Sequence, residues 1–261
     1  MMREITEEDE PMIPFDARAR IVTHARGQRE CGSERLIKIV LLGDPTAGKT
    51  GIFNRVVNDT FAAERHETRS VGFGEFYAHL DFDARVITRV QLIDIPGNDR
   101  RYGSVPLYTR EVHGAIFVFD CTNRQSFEVL ELWKTMLDAG TSSCARILVG
   151  TKRDLLDVPL TASSMTLPPA PMLPPRTDRA DLSRPALERK AQRLDAQCGF
   201  RLVSSKTGDG VFGAFMEVAV AAALEAARED RARTAYGTVD LRRPHTLALE
   251  ADKKKVPCCV H

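Results

Sequence analysis

The chain has 261 residues, room for one large domain or one domain with tails. Hydrophobic residues make up 43% and charged residues 28%, as in ordinary globular chains, and a net charge of +1 gives no electrostatic ground for binding nucleic acid. The six cysteines, at 31, 121, 144, 198, 258 and 259, form no C-x-x-C pair and have no histidine at a ligand offset, which excludes a recognisable metal spacing.

Residues 1 to 33 are polar and mix both signs of charge, so they read as a mostly disordered extension, with at most one short helix near 15–22. The acidic start MMREITEEDE fits neither a secretory signal nor a mitochondrial presequence. Leu36 to Leu42 is a short, β-branched apolar run and predicts a buried strand. It leads into Gly43-Asp44-Pro45-Thr46-Ala47-Gly48-Lys49-Thr50, which fits G-x-x-x-x-G-K-[ST]. Thr50 to Asn58 reads as the helix this loop requires. Backbone N–H groups of such a loop converge on phosphate oxygens. The glycines permit the close approach, Lys49 reaches the β- and γ-phosphates, and the Thr50 hydroxyl holds Mg2+.

Glu75–Phe82 and Val86–Ile93 are extended runs that predict a hairpin. The second ends in Asp94-Ile95-Pro96-Gly97, about 45 residues after Lys49. An Asp at a strand end can reach Mg2+, and the Gly97 N–H can contact a γ-phosphate. A weak helix follows over 102–111, then a buried strand over 114–120. Arg124–Ala139 predicts one amphipathic helix with Phe127, Leu130, Trp133 and Leu137 on its apolar face.

The apolar run Arg146–Gly150 predicts a strand that ends in Thr151-Lys152-Arg153-Asp154. A carboxylate there can accept two hydrogen bonds from guanine N1–H and N2–H2, a pair that adenine does not offer; Lys152 would lie over the base. Residues 156–185 carry Pro159, Pro168, Pro169, Pro171, Pro174 and Pro175 among Ser, Thr and Ala, and read as an extended insert. Helix over 187–197, strand over 200–203 and a long Ala-rich helix over 211–228 complete the pattern. Between the last two, Ser204-Ser205-Lys206 can offer a backbone N–H to guanine O6 and a lysine to the base or ribose. Alternating strands and helices argue for an α/β fold with a mostly parallel six-stranded sheet covered on both faces. Cys121 and Cys144, in apolar runs, read as buried thiols of a reducing cytosol. No apolar stretch reaches the roughly 18 residues that a membrane-spanning helix needs.

Four strand-end motifs in this order resemble the small Ras-like GTPases over about 35–228, and within them the Rabs. The run DIPGNDRRYGSVPLYTREVHGAIFVFDCTNRQSFEVLELWKTMLD follows the Rab pattern without gaps. It is most similar to Rabs of lysosome-related organelles, which also carry Ile after the Asp and an L-W-K helix. The resemblance implies a P-loop GTPase domain over 34–228 and a monomer that cycles between GDP and GTP with Mg2+. Its switch regions fall around 64–76 and 95–110. It also implies effectors, an exchange factor, a prenylation escort and a dissociation inhibitor as partners. Phe61, twelve residues after Lys49, would pack on the guanine ring. A switch hydroxyl for Mg2+ falls on Thr68 when counted forward from Lys49 and on Ser70 when counted back from Asp94, with Ser70 slightly preferred because Val71-Gly72 follow it.

The last residues, Lys253-Lys254-Lys255-Val256-Pro257-Cys258-Cys259-Val260-His261, resemble the Rab signal for double geranylgeranylation on Cys258 and Cys259. Residues 229–261 are then a flexible tether, and the expected location is the cytoplasmic face of endomembranes with a cytosolic pool.

Three positions depart from the family. Asn98 stands where the water-orienting Gln is usual, Pro45 where Rabs usually have Ser, and Thr151 where the guanine motif usually has Asn. Asn is one methylene short, about 1.5 Å, and misplacements of that size cost rate, so hydrolysis is expected to be slow. Pro45 has no N–H and narrows the γ-phosphate space. A GTP-binding scaffold with negligible hydrolysis is the alternative. Thr151 is tolerated in some Rho-like GTPases, so guanine binding is expected to survive.

Overall fold

Strand β2 (Ser33–Leu42) forms the centre of the sheet, and its alternation creates two cores. Ile37, Ile39 and Leu41 project to one face, Val40 and Leu42 to the other, and all five are fully buried. The computed structural model describes residues 19–21, 33–62, 68–80, 86–98, 105–141, 143–156, 180 and 182–235. Cys258, Cys259, the lysines before them, the proline run and most of residues 1–33 lie outside the described residues.

The elements in chain order are β1 (Ala19–Ile21), β2, α1 (Lys49–Asn58), β3 (Gly72–Leu80), β4 (Val86–Asp94) and α2 (Val105–Tyr108). They continue with β5 (Gly114–Asp120), α3 (Arg124–Glu128), α4 (Leu130–Asp138), β6 (Ala145–Thr151), α5 (Arg184–Arg193), β7 (Phe200–Leu202) and α6 (Val211–Ala235). The strands lie side by side in the order β1-β3-β4-β2-β5-β6-β7. Strands β4, β2, β5, β6 and β7 run parallel, while β3 is antiparallel to β4 in the expected hairpin, with Gly72 opposite Asp94. Every residue of β5 and β6 is buried, as parallel strands covered on both faces require.

Helices α1 and α6 cover one face, and Phe215, Val218 and Ala222 of α6 meet Ile39, Leu41 and Ile147 in the same cluster. Helices α4 and α5 cover the other, where Trp133, Leu137 and Leu187 pack with Phe117, Phe119 and Leu148. The six expected strands are all present. From β2 the chain order runs outward in opposite directions, to β4 on one side and β5 on the other. A crevice at the carboxyl ends of the strands follows from that reversal, and the loop after β2 sits there.

Several expectations are corrected. Of the stretch 15–22, expected as at most a short helix, the described residues Ala19–Ile21 form a seventh, edge strand, antiparallel to Ala78–Leu80 of β3. The single helix over 124–139 is two. The first turn is pinned to the end of β5, because Ser126 Oγ donates to Asn123 O and accepts from Asp120 N, and Asn123 Oδ1 caps Gln125 N. Helix α5 starts at Arg184 rather than 187, with Ser183 at its cap and Pro185 in its first turn. It stops before Asp195, whose φ of 52° ends the helix. Helix α6 runs on to Ala235, past the end of its apolar face, through residues of high helix propensity. Helix α2 is a single turn closed by Glu111 at φ 54°.

Candidate functional site

The loop Gly43–Gly48 joins β2 to α1 under tight constraint. A side chain at Gly43 would place its Cβ 2.1 Å from Val118 O of β5, so only glycine fits. Gly48 has φ 99° and no side-chain cap, so the first-turn amides of α1 are left to the loop's concavity. Ala47 is buried and bonds back to Asp44 O at 3.2 Å.

Lys49 is the first residue of α1 and is buried. Its Nζ donates to Gly43 O at 2.7 Å and Asp44 O at 2.9 Å, and lies 5.9 Å from the Trp133 ring. Burial pushes its pKa down to about 8, against the pull of Asp94 and Asp44. Asp44 also accepts from Trp133 Nε1 at 3.3 Å.

Thr50, Asp94 and Thr68 meet beside Lys49. Thr50 Oγ1 donates to Asp94 Oδ2 at 2.7 Å, and Thr68 Oγ1 lies 2.7 Å from Thr50 Oγ1. Of the two switch positions counted from sequence, the structure brings Thr68 to this pair. Ser70, the slightly preferred one, is exposed and two residues before β3. Burial raises the Asp94 pKa, opposed by the Thr50 hydrogen bond and the Lys49 charge. Asp94 Oδ1 is buried with no hydrogen-bond partner. A carboxylate with a free oxygen beside two hydroxyls is the hard-oxygen donor set that suits Mg2+.

Gly97 closes this end. A Cβ on Gly97 would lie 2.2 Å from Pro45 N, so the segment after β4 rests directly on the phosphate loop. Asn98 follows, half-buried.

The other end of the crevice gathers the guanine motif. Thr151 is buried, and its Oγ1 bridges Ala47 O at 2.5 Å and Phe119 O at 3.1 Å. A threonine here thus still ties β6 to the phosphate loop. Lys152 adopts φ 63°, donates to Thr46 O at 2.9 Å and pairs with Asp120 at short range. Asp154 accepts from Ser204 Oγ at 2.7 Å, which fixes its carboxylate to the loop after β7. Ser205 is buried and Lys206 exposed. Phe61 lies beyond α1 with 42% of its surface exposed.

Three further residues shape the site. Asp120 reads in sequence as the end of a buried strand, yet its carboxylate accepts from Thr122 N and Oγ1 besides Lys152. Arg55 passes for an outward polar residue of α1, but its guanidinium reaches the loop after β7. Trp133 was read for its apolar ring; the signal that could have found it is that a buried indole N–H needs an acceptor.

A model of the Ras family matches residues 38–223. The chain is 28% identical over 136 residues to the Ras-related protein Rab-5B of Plasmodium falciparum, covering 52% of this chain and 65% of that one. It is 34% identical over 106 residues to Rab-32 of Homo sapiens, covering 41% and 46%. It is 36% identical over 121 residues to RABF2a of Arabidopsis thaliana, covering 46% and 59%. The matched region thus spans between about half and two thirds of the length of these relatives.

Proposed function

The chain belongs to the Ras family, and on that premise we propose that it is a Rab-like small GTPase that cycles between GDP and GTP to recruit effectors in membrane trafficking. The observation that carries this reading is the convergence at one sheet end of Lys49, the Thr50–Asp94–Thr68 group and the Ser204-held Asp154. The loop amides and Lys49 bind phosphates, and Asp154 selects guanine. Bound Mg2+, held by Thr50 and Thr68 with Asp94 behind them, would neutralise phosphate charge.

Hydrolysis is slow in this reading, because Asn98 replaces the longer amide that orients water and Pro45 crowds the place of the γ-phosphate. Cys258 and Cys259 carry two lipids, and Lys253, Lys254 and Lys255 favour an anionic leaflet. No helix among the described residues is long and apolar enough to cross a membrane. The partners are those of a Rab: an exchange factor, effectors, a prenylation escort and a dissociation inhibitor. The location is the cytoplasmic face of endomembranes, endosomal or lysosome-related, with a cytosolic pool.

The test is to denature purified protein, identify the nucleotide released, reload with GTP and Mg2+ and follow conversion with GTP against ATP as competitor. GDP released and slow conversion support the switch. Retention of ATP as firmly as GTP sinks it. GTP released with no conversion favours the second reading, a nucleotide-held scaffold, to which Asn98 and Pro45 point.

A further inference from the structure

Arg55, in the middle of α1, makes four donations with one guanidinium. Nε donates to Ser205 O at 2.8 Å and Nη2 to Lys206 O at 2.8 Å. Nη1 donates to Asp59 O and to Asp59 Oδ1, both at 3.1 Å. The side chain is only 18% exposed, and the Gly208 turn lies beside it. Asp59 itself sits at φ 49°, where the chain leaves α1 toward Phe61. One planar fork thus ties two loops that are about 145 residues apart in sequence.

We propose that Arg55 is a positioning residue for the guanine base, holding the Ser205–Lys206 backbone and the Asp59–Phe61 exit against α1 so that both edges of the base site are preset. The proposal rests on the guanine-nucleotide reading above. Arg55 does not touch the nucleotide. It acts by fixing Ser205 O and Lys206 O, the two carbonyls that follow the Ser205 N–H, so that the residue carrying this N–H is held from its C-terminal side. Charge-assisted bonds of this kind are stronger than neutral ones, and a bidentate geometry adds orientation that an ammonium cannot copy. Ser204 holds Asp154 from the same loop, so the carboxylate that reads N1 and N2 shares the support.

The test compares dissociation of GDP and of 6-thio-GDP from the full chain with Mg2+, for wild type, Arg55→Met and Arg55→Lys. Sulfur is a weak acceptor, so the analogue weakens the contact at position 6 and keeps the rest of the guanine edge. Wild type is expected to hold GDP longer than 6-thio-GDP. In Arg55→Met, GDP release accelerates about tenfold and 6-thio-GDP release less than about threefold, closing the gap. Arg55→Lys falls between, since one ammonium cannot reach both loops. If Arg55→Met does not fold by circular dichroism, Arg55→Lys carries the same criterion. A variant that accelerates both nucleotides equally, a variant that accelerates neither, or a wild type with no gap overturns the role of Arg55 alone. A wild type that holds GDP no better than ADP overturns the nucleotide reading and the Arg55 role with it.

Discussion

Trp133 Nε1 donates to Asp44 Oδ1 across 3.3 Å, so the fully buried indole of α4 is tied to the phosphate loop. Its ring also lies 5.9 Å from the Lys49 ammonium. It is the one tryptophan in the chain. Its emission should therefore change when GDP and Mg2+ draw Lys49 from the Gly43 and Asp44 carbonyls. Titration of nucleotide-stripped protein checks this. Trp133→Phe keeps an aromatic ring but loses the N–H and part of the buried bicycle, and should quicken GDP release by about tenfold along with a fall in melting temperature. An emission unchanged by GDP would contradict this coupling.

Lys49 gives a pH dependence with a definite sign. Its folded pKa is about 8 against an ordinary 10.5, because burial disfavours the charged form. Between these values the unfolded chain holds a proton that the folded chain has released. Nucleotide-free protein should gain stability from this residue as pH rises from about 8 to 10.5, by about 3 kcal/mol in total. Below pH 8 the penalty is present in full. Lys49→Met should lose this rise relative to wild type, as read by urea unfolding of both proteins at pH 7.5 and 10.

Asp94 has a folded pKa raised by burial, so its ionised form is penalised in the fold at neutral pH. Its stability contribution is favourable below the carboxylate range and lost as pH rises through it. Asp94→Asn should therefore be no less stable than wild type when stripped of nucleotide, while GDP retention ceases to respond to Mg2+. Chelator titrations of the two proteins check this. A variant that keeps the full Mg2+ response would remove Asp94 from the metal site.

Much of this arrangement was legible in the sequence, because phosphate and base sites lie at strand ends and strand ends are marked by polarity changes. Lys49, Thr50 and Asp94 each end an apolar run or begin the helix after one, and Asp154 lies in the polar turn that follows another. The residues that escaped act through tertiary contact. Arg55 and Asp120 show their partners only once α1 meets the loop after β7 and β5 meets β6. Counting leaned to Ser70, yet the structure brings Thr68 to Thr50, since a loop can absorb two residues on either side of a fixed point. Strand β1 was missed because three residues carry no period, and only the β3 edge makes them a strand.

Asp120 offers a way to loosen the guanine end without touching the nucleotide. Its carboxylate holds Lys152, whose Nζ also donates to Thr46 O of the phosphate loop. The acid is buried and also accepts from Thr122 N and Oγ1. Asp120→Asn keeps the shape but removes the charge facing Lys152, leaving a half-buried ammonium with one neutral acceptor. GDP and GTP release should quicken together, by about tenfold or more.

Asn98→Gln tests whether hydrolysis is limited by reach. The longer side chain restores about one bond length toward the water that must attack, and a shift of that size is worth about ten- to a hundredfold in rate. Asn98 follows Gly97, whose backbone is wedged against Pro45, so the amide starts from a fixed platform and the added methylene translates into reach rather than slack. Single-turnover conversion of GTP in Asn98→Gln should therefore rise about tenfold or more. GDP release should stay as in wild type, because no base or Mg2+ ligand has changed. If the rate does not move, Pro45 is the next obstacle, and Pro45→Ser combined with Asn98→Gln should release it. A double variant no faster than wild type would mean that neither departure limits hydrolysis.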